Sequence, residues 1–215
     1  MSDAMELRDT LPAPRSTRRG CATTLARMSA ILEIPEVRRR VSHLSVEEYH
    51  RLDEFNENGK RTELIRGILI EKMSKSPLHC SLGKRLYDLL IRILPAGFVV
   101  RREDPITLAD SEPEPDISVV RGEPGDFNKA HPTTAELVVE VAISSAALDR
   151  ENVSLYAEAG VKEYWIVLGL EHQVEVYRRL IEGHYQEERL YRAGETIECA
   201  ALPGVRIQVS ELFPK

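Results

Sequence analysis

The chain has 215 residues, 42% of them hydrophobic and 30% charged, with a formal net charge of −6. That apolar content suits one globular domain with a packed core and excludes wholesale disorder. No apolar run approaches the ~20 residues a membrane-spanning helix needs, and the acidity excludes an indiscriminately basic nucleic-acid binder.

Residues 1–41 read as a loose extension. Residues 1–43 hold eight Arg against five acids and show no apolar periodicity. The N-terminus is charged and lacks an apolar segment, so no secretory signal is expected. The folded domain is expected over 42–215. Cys21, Cys80 and Cys199 are isolated. A disulfide framework or a cysteine zinc site is therefore not expected, and a reducing, cytoplasmic setting is.

Ser45-Val46-Glu47-Glu48 is a capping box and starts a helix running to about Asn56, where Asn58-Gly59 breaks it. Glu63–Ile65 and Ile68–Glu71 flank an Arg-Gly turn and read as a hairpin. From Pro77 to Leu94, Leu78, Leu82, Leu86, Leu89, Leu90 and Ile93 recur at helical spacing, and Pro95 stops the run. Short β-rich runs follow at Phe98–Arg102, Pro105–Leu108, Asp116–Val120 and Glu136–Val141. A helix over Ala146–Ala159 closes on Gly160. Tyr164–Leu168 reads as a buried strand, Val174–Leu180 and Tyr185–Tyr191 as an antiparallel pair at one edge, and Val205–Val209 as a last strand. Strands alternate with helices in the middle, with hairpins at both ends. This is an α/β domain with a mixed sheet, not a doubly wound parallel one.

Two carboxylates stand out. Pro113 and Pro115 keep the approach to Asp116 extended and place it at the mouth of a strand. Glu140 lies inside the otherwise apolar run Leu137–Val141. A carboxylate there must be paired, protonated or bound to a cation. Two such groups suit a hard divalent ion with open positions for phosphate, whereas pairing of Glu140 with a structural Arg is the alternative. There is no G-x-G-x-x-G, no phosphate-loop lysine and no H-E-x-x-H, and the six His residues never pair at i, i+4.

An ordered set of segments then points to a family. Glu63-Leu64-Ile65-Arg66-Gly67, His79, Pro115-Asp116-Ile117-Ser118-Val119-Val120, Val138-Val139-Glu140-Val141 with Ser144-Ser145, Asp149-Arg150, and Tyr156 through Glu163-Tyr164-Trp165-Ile166-Val167 occur in that order. The chain resembles, over roughly 42–212, the Uma-two family of restriction endonucleases within the PD-(D/E)XK nuclease superfamily. The resemblance implies a restriction-endonuclease-like core, a mixed sheet of four or five strands flanked by helices. It implies a Mg²⁺- or Mn²⁺-dependent endonuclease acting on DNA, with Asp116 and Glu140 as metal ligands. Glu63 would complete the metal shell or orient a water, or else form a surface salt bridge. His79 would contact phosphate or move a proton, or else serve as a structural hydrogen-bond partner. The motif's lysine position two residues after the acid is Ala142, and the alternative position on the following helix is Asn152, which is neutral. Lys162 is a substitute cation or a solvated turn residue, and Arg150 a further candidate. Asp149 is expected to cap its helix or pair with Arg150. The neutral Asn152 motivates a second reading, a catalytically degenerate nuclease-fold module that binds DNA or regulates. A homodimer stays open, since nucleases that cut both strands often dimerise.

Overall fold

The computed structural model describes residues 34–53 and 61–214. The chain divides between Ser42 and His43 into two units. In the first, Pro35–Arg38 forms one helical turn, α1, and Arg39 pairs with Glu36. In the second, α2 (Val46–Asp53) begins at the capping box. Ser45 N donates to Glu48 Oε2 at 2.9 Å, and Glu48 N donates to Ser45 Oγ at 3.2 Å. The expected end of this helix near Asn56 and the Asn58-Gly59 break lie outside the described residues.

β1 (Thr62–Ile65) and β2 (Ile68–Glu71) form the expected hairpin. Arg66 and Gly67 both have positive φ, 52° and 74°. That is the turn whose twist matches two paired strands. A Cβ on Gly67 would stand 2.6 Å from His43 Cβ, so glycine is needed for space as well as for φ. α3 (Pro77–Ile93) has Ser76 as its N-cap and Pro77 in its first turn, and it buries Leu82, Leu86 and Leu90. It stops because Pro95 forces Leu94 into an extended conformation, ψ 131°.

Six strands make one sheet in chain order: β3 (Phe98–Arg101), β4 (Ile117–Arg121), β5 (Leu137–Ala142), β6 (Glu163–Leu168), β7 (Gln173–Ile181) and β8 (His184–Arg192). All neighbours are antiparallel except β5 and β6. A parallel pair cannot be joined by a tight turn. α4 (Ala146–Glu158) supplies the crossover and ends at Gly160, φ 78°. The sheet has six strands rather than four or five because the β7–β8 hairpin pairs on to β6 and extends the same sheet. Pro105–Leu108 is not a strand. Ile106 N donates to Pro113 O, and Leu108 N to Ser111 O, so the segment folds back on the next few residues instead of entering the sheet. The last expected strand, β10 (Arg206–Gln208), pairs with β9 (Thr196–Glu198), a strand too short to show a period in the sequence. The single turn α5 (Val209–Leu212) follows it.

The sheet has an apolar layer on each face. Leu137, Val139 and Val141 of β5 pack in the layer that holds Leu82, Leu86 and Leu90 of α3 and Trp165 of β6. Val138 and Ala142 pack in the layer that holds Leu155 and Tyr156 of α4 and Tyr164 of β6. Alternation puts Glu140 on the second face, between Val138 and Ala142. Among the described residues, no helix is long and apolar enough to cross a membrane.

Candidate active site

Asp116 and Glu140 meet by register. Ile117 pairs with Val139 and Ser118 with Val138, so the next step of this antiparallel ladder sets Asp116 opposite Glu140. Asp116 N donates to Glu140 Oε2 at 3.1 Å, and Val141 N donates to Asp116 Oδ2 at 2.8 Å. Both side chains line a cavity of about 240 Å³, along with Glu63, Lys72, Lys75, His79, Asp149 and Asn152.

The remaining groups reach this cavity from β1, from the connector between β2 and α3, from the start of α3 and from α4. Glu63 comes from β1, and its Oε2 lies 3.5 Å from Lys72 Nζ. Its side chain is only 15% exposed, so this ion pair is part-buried rather than at the surface. His79 is on the first turn of α3, with Nε2 2.9 Å from Asp116 Oδ2. Lys75, in the connector between β2 and α3, places Nζ 2.7 Å from Asp116 Oδ1 and 3.2 Å from Glu103 Oε1. α4 contributes Asp149, Asn152 and Tyr156, all buried. Tyr156 OH donates to Glu140 Oε1 at 2.9 Å. Ser145 Oγ donates to Asp149 Oδ2 at 2.7 Å. Glu140 therefore pairs with a tyrosine and a backbone amide, not with the arginine considered from the sequence.

The electrostatics follow from this crowding. Enclosure pushes the Glu140 carboxyl well above its ordinary range, and the charges of Asp116, Asp149 and Glu63 push it the same way. Burial likewise raises Asp149, against the Ser145 hydrogen bond, to about 6. Burial also works against the Asp116 carboxylate, but His79 and Lys75 outweigh it and hold this group at about 2. Tyr156 is raised well above its usual value by burial and by Glu140, so its hydroxyl keeps the proton it donates.

Two expected cations are elsewhere. Lys162 is exposed and sits 2.7 Å from Glu136 Oε2. Arg150 donates to Glu175 Oε2 at 3.0 Å, on the sheet strand β7. Asp149 neither caps α4 through its side chain nor pairs with Arg150. Its place in the cavity was readable: 149, 152 and 156 share one helical face, and three polar residues on a buried face signal a site. Lys72, Lys75 and Glu103 carried no such signal, because irregular connectors have no period. Among the described residues, no three His, Cys, Asp or Glu side chains converge as a metal-ligand cluster.

A search of solved structures finds a crystal structure of "a putative nuclease belonging to DUF820" from Anabaena variabilis ATCC 29413, at a TM-score of 0.68 and 18% identity. The match covers 79% of this chain and 97% of that one, and shows a shared fold. No curated protein matches the chain. The model of the Uma2 family, described as "Putative restriction endonuclease", matches residues 46–210, which span both strands and the helix that build the cavity, and the chain belongs to that family.

Proposed function

We propose that the protein is a divalent-metal-dependent endonuclease that hydrolyses DNA phosphodiester bonds, with Asp116 and Glu140 at its centre. The observation that carries this reading is the meeting of Asp116 and Glu140 across β4 and β5, in one cavity with Glu63 and Asp149. Four carboxylates share this space, and burial first, then their mutual repulsion, raises the proton affinity of Glu140 and Asp149. Their oxygens are the donor set that Mg²⁺ or Mn²⁺ prefers, and a divalent cation would supply the missing counter-charge. Asp116 and Glu140 would hold it, with Glu63 and Asp149 lining the same cavity. Such an ion lowers the pKa of a bound water and neutralises charge on a phosphate. DNA as substrate, and the endonuclease class, are supported by the family description.

The chain's own groups prepare the site. The Asp116 N–H and the Tyr156 hydroxyl each hold one Glu140 oxygen, fixing the plane of that carboxylate. Val141 N and His79 do the same for Asp116 Oδ2. In the reaction a water gives up a proton as its oxygen bonds to phosphorus, the ester P–O bond breaks, and the departing oxygen takes up a proton in its place. With Mg²⁺ or Mn²⁺, purified protein is expected to nick supercoiled plasmid. Asp116→Ala and Glu140→Ala are expected to lower the rate by about 100-fold or more. Equal rates in wild type and both variants would sink the assignment. A neutral Asn152 in the cavity favours a second reading, DNA binding without cleavage. Salt-dependent duplex binding with no nicking under any divalent ion would select it.

A further inference from the structure

A carboxylate-rich cavity that handles a phosphodiester needs a fixed positive group of its own. α4 presents no cation to it, only Leu148, Asp149 and the neutral Asn152. The two ammonium groups lining the cavity come from the connector between β2 and α3. Lys72 is committed to structure: its Nζ lies 2.9 Å from Glu114 O, 3.3 Å from Glu114 Oε2 and 3.5 Å from Glu63 Oε2. Those three acceptors match the three donors of an ammonium.

Lys75 is placed differently. Its Nζ contacts Asp116 Oδ1 and Glu103 Oε1, which leaves one of its three donors. The residue after it is the N-cap of α3, whose Oγ accepts from His79 N, so the backbone carrying Lys75 is anchored. Its second partner is also held in place. Glu103 has φ 56°, a conformation uncommon outside glycine, and its N–H reaches Pro115 O and Asp116 O at 3.2 and 3.3 Å. Strain of this kind is retained where surrounding contacts over-determine it.

We propose that Lys75 is the cationic catalytic residue of this site, its ammonium binding a non-bridging oxygen of the phosphodiester held over Asp116 and Glu140. It acts from the β2–α3 connector, not from α4, and it offsets the charge that builds on the phosphate as water adds and the ester bond breaks. This rests on the phosphodiesterase reading above, and the test separates the two.

Lys75→Met and Lys75→Gln are made, together with Lys75→Met/Asn152→Lys. Plasmid nicking is measured with Mg²⁺ and with Mn²⁺. Binding of a short duplex is measured in chelator across a salt series, and melting in chelator checks folding. Either single substitution is expected to cut the nicking rate by about 100-fold, and the added lysine at 152 to recover at least about tenfold of it. Loss of one phosphate contact is expected to reduce the slope of log affinity against log salt by about 0.9. A folded Lys75 variant that nicks at the wild-type rate with an unchanged slope overturns this inference and leaves the nuclease reading standing. A wild type that nicks nothing overturns the nuclease reading. The slope then decides: a reduction by about 0.9 supports the phosphate contact, and no change overturns it.

Discussion

At the residue scale, the cavity sets two carboxyls against each other. Asp149 binds its proton more tightly in the folded protein, with its pKa raised from 3.8 to about 6. The folded state therefore holds a proton through that window that the unfolded chain has released. Stability from this source is fully present below pH 3.8 and is lost as the pH rises through about 6. Asp116 works in the opposite sense. Its folded pKa is about 2, so its contribution is present above 3.8 and is lost as the pH falls toward 2. Asp149→Asn is expected to remove on the order of 2–3 kcal/mol of the decline between pH 4 and pH 7. Urea unfolding in chelator at the two pH values checks this. Glu140 declines in the same direction, so the difference between variant and wild type is the quantity to compare. An identical decline in both would contradict the Asp149 assignment.

At the element scale, the first turn of α3 is the piece on which the site depends most. It carries His79, and its cap follows directly on Lys75. Ser76→Ala deletes the hydroxyl that accepts from His79 N. The expected cost is about 1 kcal/mol, or a melting temperature lower by about 2–4 °C for a domain of this size. Ser76→Thr, which keeps the acceptor, is expected to stay within about 1 °C of wild type. Calorimetry on the two variants distinguishes capping from mere removal of an oxygen. If threonine and alanine melt alike, the cap is not what holds this turn. The β5–α4–β6 crossover contributes in another way. Because α4 lies on one face of the sheet, Tyr156 reaches the one polar position of β5, and the helix is tied to the strand through Glu140.

At the scale of the whole molecule, the chain divides into two units between Ser42 and His43. Among the described residues, both core layers draw on positions from Ile65 onward, and the family match begins at residue 46. We propose that 42–215 is the folded domain and that 1–41 adds nothing to its stability. A chain starting at residue 42 is expected to melt within about 1 °C of the full chain and to keep its nicking rate. A drop of several degrees would show that the N-terminal residues belong to the fold.

Much of this architecture was legible because short-range physics wrote it into the chain. The capping box at Ser45, the Arg-Gly turn with its left-handed pair, the leucine spacing of α3 and the glycine after α4 are all local. Asp116 and Glu140 were legible for a related reason: a carboxylate inside an apolar strand needs an explanation wherever that strand is placed. Pro105–Leu108 was misread as a strand because β-rich composition does not show that a segment will bond to its own neighbours instead. Only the tertiary structure decided which cations face the carboxylates. Lys162 stands beside Glu163 in sequence yet points to Glu136, whereas Lys75, 41 residues from Asp116 along the chain, lies against it. Register across β4 and β5, and the side of the sheet that α4 covers, are long-range properties. They brought a helix face, a hairpin and a connector to one cavity. Periodicity assigns each side chain to a face of its own element, but packing alone determines what meets that face.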